Sequence, residues 1–523
     1  MFRKIIATSA GSVVLLVCTG LSRSDAQTVR QPLGVYAHVD VDDAIAAYKA
    51  YRRSPAWNGE DEHTYLRNLY GGMFEGNPGL AGITFGIYWD RIEKNDPDCA
   101  FYHDCSPGGD VNGNDWGYLD DVFTEAKAFS KTVQLIITPG VDSPPWLFKR
   151  LLPSCDVLFL VSFANPQPCG EVTFSVFPED TKADGHVFPL PWDGTYQFWW
   201  GRFLSEVNDR YKDRREFVSI AIAGPIGAST EMILPTTLDG SFQSPAWPAD
   251  EAWSVLIANS FPNSSVNYQH SDQVFVKQWK KAIDAYEGIF KNVTLFLSPD
   301  SGDKLPEFGR DEPPDDPGWL FTADCSTAAD YPMSCKAKTD VLTYFLATEG
   351  GRQLATQVGG MTASSALTPE AGNSGIGVGG VKVLTGPLSQ SPPILGGAEF
   401  DKPVSTKNLA TREEQGCTSA ERMAKECKGI SPELAAYNTL RVFFYGTEFG
   451  HDYGWPKNTA ATGPMQWLEI DYRDIVWAQT NDATANNGTP CNRSLENLIN
   501  GASWYLFKMA RQMPPVAPPS CNR

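Results

Sequence analysis

Two glutamates stand where an acid and a nucleophile would be wanted. Glu231 closes the stretch Phe217 to Met232, FVSIAIAGPIGASTEM, and Glu399 follows the run PILGGA at Pro393 to Ala398. A short apolar run that ends in Gly224-Pro225 reads as a strand buried on both faces, and a carboxylate just past such a strand is where α/β barrels put their chemistry. Two carboxylates facing each other across a barrel mouth can split a glycosidic bond. One protonates the leaving oxygen while the other attacks the anomeric carbon or activates water. The competing reading of either glutamate is a surface or ion-pair residue. Glu448, in YGTEFG, and Glu469, in MQWLEI, are rival second carboxylates. Glu448 follows a helical pattern, which points to a loop role, whereas Glu469 lies two positions past Trp467 and can line the mouth. His38 sits near the end of an early apolar run, and Thr230 directly precedes Glu231. Trp89, Trp146 and Trp467 come near strand ends, where an aromatic face can stack on the apolar face of a sugar, core packing being the alternative for each.

The elements that must position these residues alternate along the chain. Leu33 to Val41 reads as a first strand, followed by a short helix over Asp42 to Tyr51. Gly82 to Tyr88 is a second strand, Trp116 to Ser130 a helix, and Val133 to Thr138 a third strand. Tyr196 to Tyr211 is an amphipathic helix, which makes the Phe217 run the fourth strand. Val274 to Phe290 is helical, Val293 to Ser298 a fifth strand and Asp340 to Ala347 a helix. Gln357 to Thr362 and Pro393 to Ala398 are the sixth and seventh strands. Pro432 to Tyr445 is helical, Met465 to Ile470 is the eighth strand, and Leu495 to Met509 closes as a helix. Strands alternating with helices predict a parallel sheet, and eight such units predict an α/β fold of the (β/α)8 TIM-barrel class. Pro- and Gly-rich stretches such as Asp311 to Gly318 read as loop insertions.

Other patterns carry less. Gly375-x-Gly377-x-x-Gly380 matches a dinucleotide pattern without the strand before it or the helix after it. The segment from Asp110 to Asp121 opens with oxygen ligands at alternate positions but lacks glycine at the sixth place, so it reads as a polar turn rather than a calcium loop. The six histidines include no H-x-x-x-H pair, which disfavours a catalytic zinc and a metal-dependent hydrolase, and no Gly-x-Ser-x-Gly elbow occurs. No metal and no cofactor is expected.

Within the 523 residues, Arg3 and Lys4, an apolar segment around Val13 to Val17 and Ser24-Asp25-Ala26 form the pattern of a secretory signal over residues 1–26. The expected product is a secreted or periplasmic protein whose residues 27–523 form one catalytic domain. Ten cysteines then remain. They fall as the neighbours Cys99 and Cys105, Cys155 and Cys169, Cys325 and Cys335, Cys417 and Cys427, and Cys491 and Cys521. An even count in an exported chain implies disulfides, and the clustering predicts local staples across the loop insertions. The net charge is −19, and −21 without the leader, which carries Arg3, Lys4 and Arg23 against Asp25. That balance argues against nucleic acid and anionic membrane as partners.

The segment YWDRIEKND after the second strand, and the later DWGYLDDVFTEAKAFSKTVQLIITPGVDSPPWL, resemble retaining glycoside hydrolases of clan A. The pattern is most similar to the family 42 β-galactosidases: an aromatic-Trp-x-Arg-x-Glu element, a Leu-Asp helix, a strand, then Pro-Pro-Trp. WLEIDYRDI at Trp467 to Ile475 is similar to the last strand and following loop of related barrels. The resemblance implies a glycosidase acting by double displacement on a β-linked carbohydrate, with Glu231 as acid/base and Glu399 as nucleophile. The clan usually places Asn before the acid/base to reach the sugar 2-hydroxyl, and this chain has the shorter Thr230. That departure keeps open a second reading, a barrel that binds carbohydrate without cleaving it.

Overall fold

The computed structural model describes residues 29–97, 114–152, 170–176, 187–224, 237–238, 260 and 273–297, then short runs at 341, 344–345, 354–357, 384–386, 447–448, 451–452, 467–473, 475–476, 499–500, 503–504, 507, 512–513 and 515. β1 (Gly34–Asp40) runs directly into α1 (Val41–Arg52). Asp40 caps that helix, its Oδ1 accepting from the amides of Asp42 at 2.8 Å and Asp43 at 3.3 Å. Asp42 and Asp43 in the first turn and Lys49 and Arg52 in the last complement the helix dipole. α2 (Glu62–Gly76) starts at a second aspartate cap, Asp61. Its apolar residues Leu66, Tyr70, Met73 and Phe74 are buried at helical spacing. The sequence reading has no helix here; packing of that face offsets the poor propensity of Gly71 and Gly72.

β2 (Leu80–Tyr88) leads to the one-turn helix α3 (Trp89–Ile92). α4 (Gly117–Ala128) and β3 (Thr132–Thr138) follow, then α5 (Pro145–Phe148). β4 (Glu171–Val176) and β5 (Val187–Pro189) precede α6 (Gly194–Tyr211) and β6 (Phe217–Ala221). β7 (Thr237–Leu238), α7 (Gln273–Ile289), β8 (Thr294–Leu297), β9 (Leu354–Gln357) and β10 (Leu384–Gly386) come next. The hairpin β11 (Thr447–Glu448) and β12 (His451–Asp452) and the strand β13 (Trp467–Asp471) complete the described strands.

Eight strands form a parallel sheet in the order β10-β9-β8-β6-β3-β2-β1-β13. Chain order and sheet order agree throughout, except that the last strand lies beside the first. Two of the described strands differ in span from the expected ones. The described sixth strand is Leu354–Gln357, paired with β8 and meeting the expected Gln357 to Thr362 only at Gln357; residues 358–362 lie outside the described residues. The strand beside β9 is Leu384–Gly386, at the end of the β-branched run Val381-Lys-Val383, in the place expected for Pro393 to Ala398. That later run, the helix Pro432 to Tyr445 and all ten cysteines lie outside the described residues. A smaller antiparallel sheet, β5-β4-β7, was not foreseen, although Glu171 to Val176 alternates.

The two faces of the large sheet differ. Val35, Ala37, Val39, Ile83, Phe85, Ile87, Val133, Leu135 and Ile137 pack into one core with α4, α6 and α7. The opposite face carries a separate apolar cluster of Tyr36, Ile136, Val218, Ala221, Phe296 and Trp467. Gly82 is required on this second face. A Cβ there would meet the Thr132 carbonyl oxygen at 1.9 Å and the Tyr36 ring at 2.8 Å, and the bare backbone lets the Tyr36 hydroxyl reach Thr132 Oγ1 at 2.8 Å. Among the described residues no helix is long and apolar enough to cross a membrane.

The first described residues are pinned beside the N-terminal end of β8. Arg30 pairs its backbone with Val293 beside β8. Its guanidinium donates to the carbonyl oxygens of Asn292 at 3.1 Å, Lys212 at 2.7 Å and Arg214. Arg30→Ala is expected to lower stability by about 2–4 kcal/mol, since charge-assisted bonds are lost and half-buried carbonyls are left unsatisfied. Urea denaturation checks this, and Arg30→Lys should recover only part, because an ammonium cannot span three acceptors in one plane.

Candidate functional site

The polar residues of the second sheet face meet at one carboxylate. Glu469 projects from β13 and is 0% exposed. Its Oε2 accepts from His38 Nδ1 at 3.1 Å and its Oε1 from Trp467 Nε1 at 3.1 Å, and the Thr84 hydroxyl bonds to it as well. Thr84 Oγ1 in turn accepts from Gln134 Nε2 at 3.0 Å, and Gln134 Oε1 accepts from Ser219 Oγ at 2.8 Å. A chain of donors thus runs from β6 through β3 and β2 to Glu469, joined there by His38 of β1. Period-two alternation explains why these residues share a face: His38 lies two positions from Tyr36, Gln134 two from Ile136 and Glu469 two from Trp467.

Burial pushes the Glu469 carboxyl above the usual carboxylate range, against the opposing effect of the bonds from His38, Thr84 and Trp467. A buried acid hydrogen-bonded to an imidazole can hold or release a proton between the two, which is the equipment of acid–base chemistry. Sequence reasoning named His38, Trp467 and Glu469, and the fold brings them together. It missed Thr84, Gln134 and Ser219, whose only legible signal is polarity inside otherwise apolar runs.

Trp89 and Trp146 are corrected by their surroundings. Trp89 is 0% and Trp146 6% exposed, and both belong to the helix-side core. They meet edge to face at 6.3 Å, and Trp89 packs on Tyr196, Trp200 and Phe203 of α6. Among the described residues their rings are taken up by this aromatic packing on α6, which is the core-packing alternative for both. Trp467 is equally buried but lies on the other face, against Phe296 and beside Glu469.

A second buried carboxyl had no assigned role. Glu93, one residue past α3, is 1% exposed. Its Oε2 accepts from Trp89 Nε1 at 2.7 Å, and its backbone carbonyl accepts from Trp146 Nε1 at 3.2 Å. Burial, reinforced by the negative charges of Glu206 and Asp96, pushes this acid up to about 8 against the Trp89 bond and the Arg202 charge.

Thr230 and Glu231 lie between the described residues Gly224 and Thr237, and Glu399 beyond Gly386; all three lie outside the described residues. Glu448 ends β11 in a hairpin apart from the large sheet, opposite His451. Among the described residues no group of three or more His, Cys, Asp or Glu is placed to hold a metal ion.

No protein-family model matches the chain, and no curated protein sequence matches it. Solved structures of glycoside hydrolases are similar to it at low identity. The endo-glycoceramidase II from Rhodococcus sp., solved as a ganglioside GM3 complex, is 12% identical at a TM-score of 0.25, over 64% of this chain and 67% of that one. The β-galactosidase from the psychrophilic Marinomonas ef1 is 10% identical at a TM-score of 0.29, over 87% of this chain and 60% of that one. The β-galactosidase from Bacillus circulans sp. alkalophilus is 11% identical at a TM-score of 0.24, over 75% of this chain and 44% of that one.

Proposed function

We propose that this chain is an exported (β/α)8 glycosidase that cleaves a β-linked carbohydrate with retention, in the manner of the family 42 pattern. Glu231 is the general acid/base and Glu399 the nucleophile; residues 1–26 are a cleaved signal, and five local disulfides brace the loop insertions. His38, Trp467 and Glu469 form the polar floor under the substrate. The observation that supports this reading is the strand arrangement. The last strand pairs with the first, the edge strands β10 and β13 approach within 8 Å between Cα atoms, and β6, the fourth strand of the large sheet, ends ten residues before Glu231. An eight-stranded parallel sheet closed at that edge would place Glu231 at its C-terminal face.

Turnover of a panel of aryl β-glycosides by the purified protein tests the activity, and NMR of the first-formed product, before mutarotation, tests retention. Double displacement needs carboxyl groups about 5–5.5 Å apart, and an inverted product would mean a single displacement through water. Thr230 favours the alternative of a carbohydrate-binding barrel without turnover, which would retain polysaccharide on an affinity gel and release no aryl group.

A further inference from the structure

A second polar pair stands nearer the C-terminal ends of the strands than His38 and Glu469. Asp40 lies two positions beyond His38 on β1, so strand alternation sets it on the side of Glu469. Tyr88, the last residue of β2, packs its ring against the helix-side core and sends its hydroxyl across to Asp40 Oδ2, to which it donates at 2.6 Å. Asp40 Oδ1 is taken up by the amides of Asp42 and Asp43 at the start of α1. Gly86 is the register partner of Asp40 and puts no side chain beside the pair; a Cβ there would stand 3.8 Å from Asp40 Oδ2. Both Asp40 and Tyr88 are partly exposed.

Counting donors and acceptors defines what such a pair can hold. The phenol has one proton and spends it on Asp40, and a carboxylate has none to give. Burial, reinforced by the charges of Asp40 and Asp142, keeps that phenol protonated far above the ordinary tyrosine range. The pair therefore offers two acceptors side by side, the second lone pair of Asp40 Oδ2 and the oxygen of Tyr88. At 2.6 Å apart they suit hydroxyls on neighbouring carbons of a sugar ring, which bring two donors at similar spacing. Charge narrows the choice further. Asp142 and Asp42 act on the Tyr88 oxygen along with Asp40, while Arg91 pairs with Asp42 at 2.9 Å and Arg473 with Asp43 at 3.2 Å. An anionic ligand would meet carboxylates here with both arginines already shared. We propose that Asp40 and Tyr88 form a two-acceptor clamp for adjacent hydroxyls of a neutral sugar, which admits an uncharged ring and rejects a uronic acid. The clamp rests on the carbohydrate reading above and names the class of sugar.

Saturation-transfer NMR titration of the full chain near neutral pH reads binding whether or not the sugar is cleaved. The probes are the methyl β-glycosides of galactose, glucose, xylose and mannose, their monodeoxy derivatives, and the corresponding β-glucuronide and β-galacturonide. The expected result is that the wild type binds a neutral probe and takes the uronic counterpart at least about tenfold more weakly. Loss of either of two adjacent hydroxyls should weaken binding by about tenfold. In Tyr88→Phe, affinity for the full sugar should fall by a similar factor and the penalty for one of the two deoxy derivatives should vanish, which a merely structural tie between strands would not produce. Asp40→Asn keeps the cap of α1, since Asn caps as well as Asp, and should narrow the gap between neutral and uronic probes. This variant carries the test should Tyr88→Phe not fold. Unchanged affinities in both variants, or a wild type that prefers the uronic probe, would overturn the clamp and leave the glycosidase reading standing. Sensitivity to both substitutions without turnover of aryl glycosides would support the clamp and remove the cleavage. A wild type that binds no neutral probe would overturn both.

Discussion

Glu231→Gln is expected to lower kcat/KM on glycosides with poor leaving groups by about 10²–10⁴-fold, the usual worth of a positioned general acid. Substrates with good leaving groups need little protonation, so their first step should survive and the glycosyl-enzyme should accumulate. Glu231→Ala then opens space for azide, which should restore breakdown of that intermediate and yield the β-glycosyl azide. Glu399→Ala should abolish turnover on every substrate, since no other group supplies the attacking oxygen. The two variants separate the roles, and Glu448→Ala and Glu469→Ala test the rival second carboxylates. They matter because β10 ends at Gly386, thirteen residues before Glu399. If Glu448→Ala or Glu469→Ala abolished turnover while Glu399→Ala left it intact, the nucleophile would have to be reassigned.

Glu469→Ala is expected to destabilise the fold by about 3–5 kcal/mol, the cost of removing one partner from a buried hydrogen-bonded pair. The indole of Trp467, the hydroxyl of Thr84 and the ring of His38 would each lose this acceptor, and the cavity would sit between the first and last strands. Glu469→Gln keeps the volume and one carbonyl oxygen and should cost much less. Denaturant midpoints at several pH values give a second readout. The raised Glu469 contributes stability that is fully present below its ordinary value of 4.5 and is lost as pH rises through its raised one, so the Gln variant should lack that part of the slope. Equal losses for Ala and Gln would mean that the carboxyl's bonds contribute nothing and only the ionisable group matters.

Much of the scaffold was legible in the chain itself. A parallel strand covered on both faces must be apolar at nearly every position, so GITFGIY, VQLIIT and FVSIAIA stand out as continuous runs, and their flanking helices carry the 3.6-residue stripe. Position along a strand, and hence the choice of His38, Trp467 and Glu469, was readable for the same reason. The bounds of the short strands β9 and β10 were not legible, because three or four residues hold too little local information; pairing with a neighbour sets their ends.

What tertiary structure alone decided is which side of the sheet each residue faces and whom it meets. Trp89, Trp146 and Trp467 look alike in sequence, each an indole near a strand end. Folding sends the first two into the helix-side core and the third to the opposite face. His38 and Glu469 are 431 residues apart, and no local pattern links them. They become partners only because β13 pairs in register with β1, setting Glu469 opposite Tyr36, one pleat from His38. The buried acids depended on the same assembly. A carboxyl's affinity for its proton is set by the water it loses and the charges it gains, and both are properties of the packed structure rather than of the residue or its neighbours in the chain.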